Sequence, residues 1–118
     1  MAITEVFAGI PVADYPSARA WYERLIGRPP AFLPHETEAV WNLLGPAGWI
    51  YVVLDPARAG NALITLLVDD LEAHIAELAG RGIAAAEIET IPGAVKTAAV
   101  TDPDGNRITF GQPLPADG

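Results

Sequence analysis

Leu66-Leu67-Val68-Asp69-Asp70 repeats, 56 positions further on, the pattern of Ile10-Pro11-Val12-Ala13-Asp14. Each is an apolar stretch that runs into an aspartate and then into residues spaced as on a helix. Gly45-Pro46-Ala47-Gly48 and Asp102-Pro103-Asp104-Gly105 stand 57 positions apart in the same sense. Matching offsets at both ends of a segment mark an internal repeat, and a repeat decides the architecture before any single element does. A unit of that size fits twice into 118 residues. Two copies of one supersecondary module therefore account for nearly the whole chain.

Each copy reads as a strand, a helix and three strands. In Ile3–Val12, Val6, Ala8, Ile10 and Val12 alternate with Glu5, Phe7, Gly9 and Pro11, the period of two that a strand requires. Ala18, Trp21, Tyr22 and Leu25 follow at helical spacing. Pro16 suits the first turn, Asp14 the N-terminal dipole and Gly27 the stop. Short strands are expected at 31–34, 38–44 and 49–54, the last two joined by the Gly45–Gly48 turn. In the second copy, Ala62–Val68 is a strand and Asp69 or Asp70 opens a helix. Asp69-Asp70-Leu71-Glu72 has capping-box spacing, and Gly80-Arg81-Gly82 ends the helix. Strands are then expected at Glu87–Ile91, Val95–Thr101 and Arg107–Gly111, with Asp102–Asn106 as a tight turn. The modules span about 3–55 and 61–112, and 113–118 reads as a frayed tail. The fold class is α+β in a single domain.

Composition narrows the function. Lys+Arg 7 against Asp+Glu 15 leaves a formal charge of −8, which opposes nucleic-acid binding and anionic membrane surfaces. With 51% hydrophobic residues the chain is not a disordered polymer. The absence of cysteine removes disulfides, thiolate zinc sites and a cysteine nucleophile, and it fits a reducing, cytoplasmic setting. No secretory signal is visible, and the longest apolar runs, Trp49–Leu54 and Ala62–Val68, have strand length rather than the roughly 20 residues that span a bilayer.

Three stretches carry a resemblance: Val6–Asp14 leading to Ala20–Gly27, Leu66–Leu71 leading to Arg81-Gly82-Ile83, and Asp102-Pro103-Asp104-Gly105-Asn106-Arg107-Ile108. Together they resemble the vicinal oxygen chelate superfamily of glyoxalase I, extradiol dioxygenases, and fosfomycin and bleomycin resistance proteins. The resemblance covers about residues 3–112. It implies two tandem βαβββ modules forming a curved mixed sheet around a cleft, with the helices outside. Metal-dependent members place one ligand on each of four strands, where a divalent ion acts as a Lewis acid. Carried onto this chain, those positions are Phe7, Val52, Leu63 and Thr109, and a slip at Val52 brings in Tyr51 or Val53. None of the four supplies imidazole, carboxylate or thiolate. No metal and no other cofactor is therefore expected.

The resemblance to bleomycin-type resistance proteins further implies sequestration of a small molecule, drug-like or cationic, in a cleft made by a homodimer. The alternative is a glyoxalase- or lyase/isomerase-type enzyme with non-standard residues, for which His35 and Glu5 are the candidate acid/base groups, or with an unconventional metal site. For binding, strand parity turns Phe7 into the cavity. Trp41, Trp49 and Tyr51 lie on the middle strands of module one, and Leu63, Thr65, Arg107 and Thr109 face the cavity from module two. An apolar, aromatic lining with few polar groups suits a small-molecule site. Arg107 either receives a carboxylate or pairs with Asp102, Asp104 or Glu5, and Lys96 carries the same ambiguity. His74 lies on the second helix, and Trp21 and Tyr22 read as core.

Overall fold

A computed structural model of the chain describes residues 2–115. Module one comprises β1 (Val6–Val12), α1 (Tyr15–Ile26), β2 (Phe32–His35), β3 (Glu38–Leu44) and β4 (Gly48–Leu54). Module two comprises β5 (Leu63–Leu67), α2 (Leu71–Gly80), β6 (Glu89–Ile91), β7 (Val95–Thr101) and β8 (Arg107–Pro113). Each makes its own four-stranded mixed sheet, ordered β1-β4-β3-β2 and β5-β8-β7-β6. The opening strand of each module runs parallel to its closing strand, and the other pairs are antiparallel.

Local chemistry sets the helices. Asp14 caps α1 by accepting from Ser17 N–H at 3.3 Å, Pro16 sits in the first turn, and Gly27 ends the helix at φ +88°. That left-handed conformation is one a glycine adopts without strain. Asp70, not Asp69, caps α2, accepting from Ala73 N–H at 3.1 Å. The expected capping box does not form, because Asp70 as N-cap puts Ala73 rather than Glu72 at its third helical position; Glu72 instead pairs with Lys96 Nζ on β7 at 2.7 Å. β8 runs on to Pro113 because β7 offers partners down to Val95, and Leu114 N–H then bonds the Ala94 carbonyl at 2.8 Å. The first residues of the expected frayed tail are thus paired; 116–118 lie outside the described residues.

The two parities of each sheet have different fates. Ile10, Val12, Ile50 and Val52 of sheet one join Trp21, Tyr22 and Leu25 of α1 in the core. Val100, Ile108 and Phe110 of sheet two join Leu71 and Leu78 of α2 in the same cluster. The opposite parity, carrying Phe7 and Leu63, stays open to solvent. The chain's radius of gyration, 14.9 Å, exceeds the roughly 13.5 Å expected of a compact domain this long. Among the described residues, no helix is long and apolar enough to cross a membrane.

The modules are joined by a buried polar knot in the Asp102–Asn106 turn. Asp102, 4% exposed, accepts from Tyr22 Oη on α1 at 2.7 Å, from Asn106 Nδ2 at 2.8 Å, and from the backbone N–H groups of Asp104 and Asn106 at 2.9 Å each. Asn106 spends its remaining capacity on module one and on β5: Nδ2 donates to the Pro11 carbonyl at 2.7 Å and Oδ1 accepts from Ala62 N–H at 2.9 Å. A carboxylate taken out of water is costly unless its lone pairs are filled, and here they are. Burial first, and Asp102 second, push the Tyr22 phenol far above the ordinary tyrosine range. A raised folded-state pKa gives a contribution that is complete below about pH 10 and is lost as pH rises beyond it, where the unfolded chain releases its proton. An ultraviolet titration is accordingly expected to show Tyr22 ionising only as the protein unfolds in alkali. The Tyr22→Phe chain should lack that coupled step; a folded-state Tyr22 phenolate would show that the knot is not formed.

Candidate functional site

The open face of module one is aromatic. β1 and β4 run in parallel with Phe7 opposite Trp49 and Gly9 opposite Tyr51. The Phe7 and Trp49 rings stack with centroids 5.3 Å apart and planes 10° apart. Phe32 of β2 meets Trp49 edge-on at 6.1 Å and 70°. Trp49 Nε1 donates to the Pro46 carbonyl at 3.1 Å, so the indole is anchored by the β3–β4 turn. Tyr51 lies across β1 where Gly9 has no side chain: a Cβ there would come within 2.6 Å of the phenol Cζ and Oη. The glycine keeps the ring down on the sheet and leaves the Phe7–Trp49 surface clear.

The matching face of module two is aliphatic and polar. Leu63, Thr65 and Leu67 of β5 pair with Arg107, Thr109 and Gly111 of β8. Arg107 makes no ion pair among the described residues. Of its expected partners, Asp102 belongs to the buried knot, and Asp104 Oδ1 accepts from Ala13 N–H at 3.2 Å. Lys96 lies on the helix side and is bound to Glu72, so it does not share this face.

Two of the expected positions move. Trp41 is not on the open face: it pairs with Ile50, is 0% exposed, and donates from Nε1 to the Arg28 carbonyl at 2.9 Å inside the core. Ala39, Val40 and Trp41 are all buried, so β3 shows no alternation from which its inner side could be read. Val52 is likewise a core residue, 0% exposed. The closing strands are 58 positions apart, since Trp49 faces Phe7 as Arg107 faces Leu63. The counterpart of Thr109 is therefore Tyr51. His35 ends β2 at the outer edge of sheet one, exposed and opposite Glu38, three strands from β1, and Glu5 is an exposed residue preceding β1. His74 sits on the helix side, 4.4 Å from the Phe110 ring; burial, with Arg81 adding, lowers its pKa against the pull of Glu77. Phe32 was not singled out by sequence, although an apolar Phe32-Leu33 pair on a short strand is the signal that would have found it.

The donor set does not fit a divalent ion. Phe7, Tyr51, Leu63 and Thr109 offer one phenol and one hydroxyl, and among the described residues no three His, Asp or Glu side chains converge on a metal position. Chemically the module-one face can stack against a flat ring, and the module-two face presents the cation of Arg107.

Residues 5–110 match the model of the Glyoxalase/Bleomycin resistance protein/Dioxygenase superfamily, and the chain belongs to that superfamily. It is similar to a glyoxalase/bleomycin resistance protein from Catenulispora acidiphila DSM 44928, with 44% identity over 94% of this chain and 98% of that one and a TM-score of 0.86. It is also similar to TnmS3, an antibiotic binding protein from Streptomyces sp. CB03234, at 28% identity over 97% and 99% of the two chains and a TM-score of 0.77. A bleomycin resistance determinant encoded on the transposon Tn5, 23% identical over 92% and 96%, shares the fold with a TM-score of 0.74. No curated protein matches the chain by sequence.

Of the three tryptophans, only Trp49 stands outside the buried class. Acrylamide, small enough to enter a ligand cleft, is expected to quench Trp49 and to spare Trp21 and Trp41. Trp49→Phe should then abolish the quenchable fluorescence; a quenchable fraction that survives would put Trp21 or Trp41 at the surface.

Proposed function

We propose that the protein sequesters a flat, largely apolar small molecule against the Phe7–Trp49 stack. A second copy covers that surface with its module-two face, and neither metal nor covalent chemistry takes part. The observation that carries this reading is the stack itself. Phe7 is 46% exposed yet held parallel to Trp49 in a stack, an apolar surface whose contact with water is unfavourable and whose cover contributes binding energy. The open face of module two supports the pairing, with Leu63 80% and Leu67 63% exposed on its edge strand. Exposed apolar patches of this kind mark interaction surfaces. The poor donor set at the family's metal positions supports a metal-independent role. The 28% identical relative described as an antibiotic binding protein supports sequestration. The net charge of −8 favours a cationic ligand over an anionic one.

Acridine orange, flat and cationic, is the probe for the test. Phe7→Ala is expected to weaken its binding by about tenfold, the loss of one stacked aromatic contact, with the thermal transition nearly unchanged because Phe7 is outside the core. Pyrene sulfonate, equally flat but anionic, should bind less tightly. Equal affinity of wild type and Phe7→Ala for acridine orange would remove the aromatic face from the account.

A further inference from the structure

A second apolar space lies on the other side of the sheets. A cavity of about 560 Å³ opens between the end of α1 and β5, walled by Ile10, Ile50, Leu25, Ile64, Leu66 and Phe110. The internal repeat provides its control. In module one the helix-side residues Ile10 and Val12 of β1 are fully buried. Their counterparts 56 positions on, Leu66 and Val68, remain half-exposed, as does Ile64. α2 packs on β7 and β8, and the helix side of β5 is only partly buried against the core. The space is of a size that holds drug-sized molecules, roughly 300–1,000 Å³.

One side chain of its lining carries a full charge, and it is Arg28. Arg28 also borders a neighbouring depression together with Arg24 and Arg81, so three of the chain's seven basic residues gather at the end of α1. Glu23 is the carboxylate beside them, and it is paired with Arg19 at 3.4 Å. Among the described residues, none of the three arginines has an ion-pair partner. Arg28 gives one donor to the Asn42 carbonyl, which leaves the rest of its fork free, and that fork matches a carboxylate in two-point geometry. An apolar trough that ends at the Arg28 guanidinium, with Arg24 and Arg81 close by on a chain otherwise acidic, complements the charge pattern of a single-chain anionic amphiphile.

We propose that this cavity binds a free alkyl carboxylate, its tail along Ile64 and Leu66 of β5 and its carboxylate on Arg28. The site is separate from the aromatic face, which uses the opposite parity of β1 and β4.

Dodecanoate below its micelle concentration tests this by calorimetry, with dodecanol supplying the same tail without charge and acetate the same head without a tail. One dodecanoate per chain is expected, bound about tenfold more tightly than dodecanol, with acetate not bound. Arg28→Gln should reduce dodecanoate to the dodecanol level and Arg28→Lys should restore part of the difference. Arg28 is exposed, so both chains should fold as the parent does. Leu66→Trp, which fills the trough, should weaken both alkyl ligands, and Phe7→Ala should weaken neither. The proposal is overturned if dodecanoate fails to bind, if Arg28→Gln leaves its affinity unchanged, if acetate binds as well as dodecanoate, or if Phe7→Ala abolishes binding and so places the ligand on the aromatic face.

Discussion

Asp102 buries a carboxylate at a turn where both modules meet, and the arrangement of the molecule depends on how that charge is satisfied. It collects a phenol from α1, an amide from Asn106 and two backbone N–H groups. Removing one donor from such a set leaves a buried anion short of a partner, at a cost of about 1–3 kcal/mol. Because the donor from module one is Tyr22, α1 is drawn toward the closing turn of module two. Asn106 draws the end of β1 to the same point through Pro11. The modules are thereby fixed with their helix sides together.

That fixation explains the exposure of the other faces. With the helix-side residues of both sheets committed to one core, Phe7, Leu63 and Leu67 are left exposed on the opposite faces, and Trp49 is half-buried beside Phe7. The half-filled space along β5 has the same origin. The repeat is inexact: α2 packs on β7 and β8, and Ile64 and Leu66 of β5 stay only partly buried where Ile10 and Val12 of β1 are fully buried.

Much of the architecture was legible because the repeat is carried by side chains with local jobs. Asp14, Gly27, Asp70 and the Asp102–Asn106 turn act where they stand in the sequence, and the elements begin and end beside them. Phe7, Leu63, Thr65, Arg107 and Thr109 were placed by parity, and they pair across β1–β4 and β5–β8 on the sides turned away from the core, with Trp49 and Tyr51 opposite Phe7 and Gly9. Parity failed where alternation failed. In β3 both sides are buried, so Trp41 could not be assigned a face and belongs to the core. Val52 was displaced because an offset measured at the turn, 57, is not the offset along the closing strands, 58. The knot itself was beyond sequence reasoning, since the Tyr22–Asp102 bond spans 80 positions and nothing local announces it.

The most direct measurement is an isotope-filtered NOE experiment on a mixture of labelled and unlabelled chains, observing the Phe7 and Trp49 rings against the methyl groups of Leu63 and Leu67. Contacts between differently labelled chains are expected from the proposed pairing, in which the module-two face of a second copy covers the aromatic face. A monomer without such contacts, or the same contacts arising within a single chain, would contradict the account of how the aromatic face is enclosed.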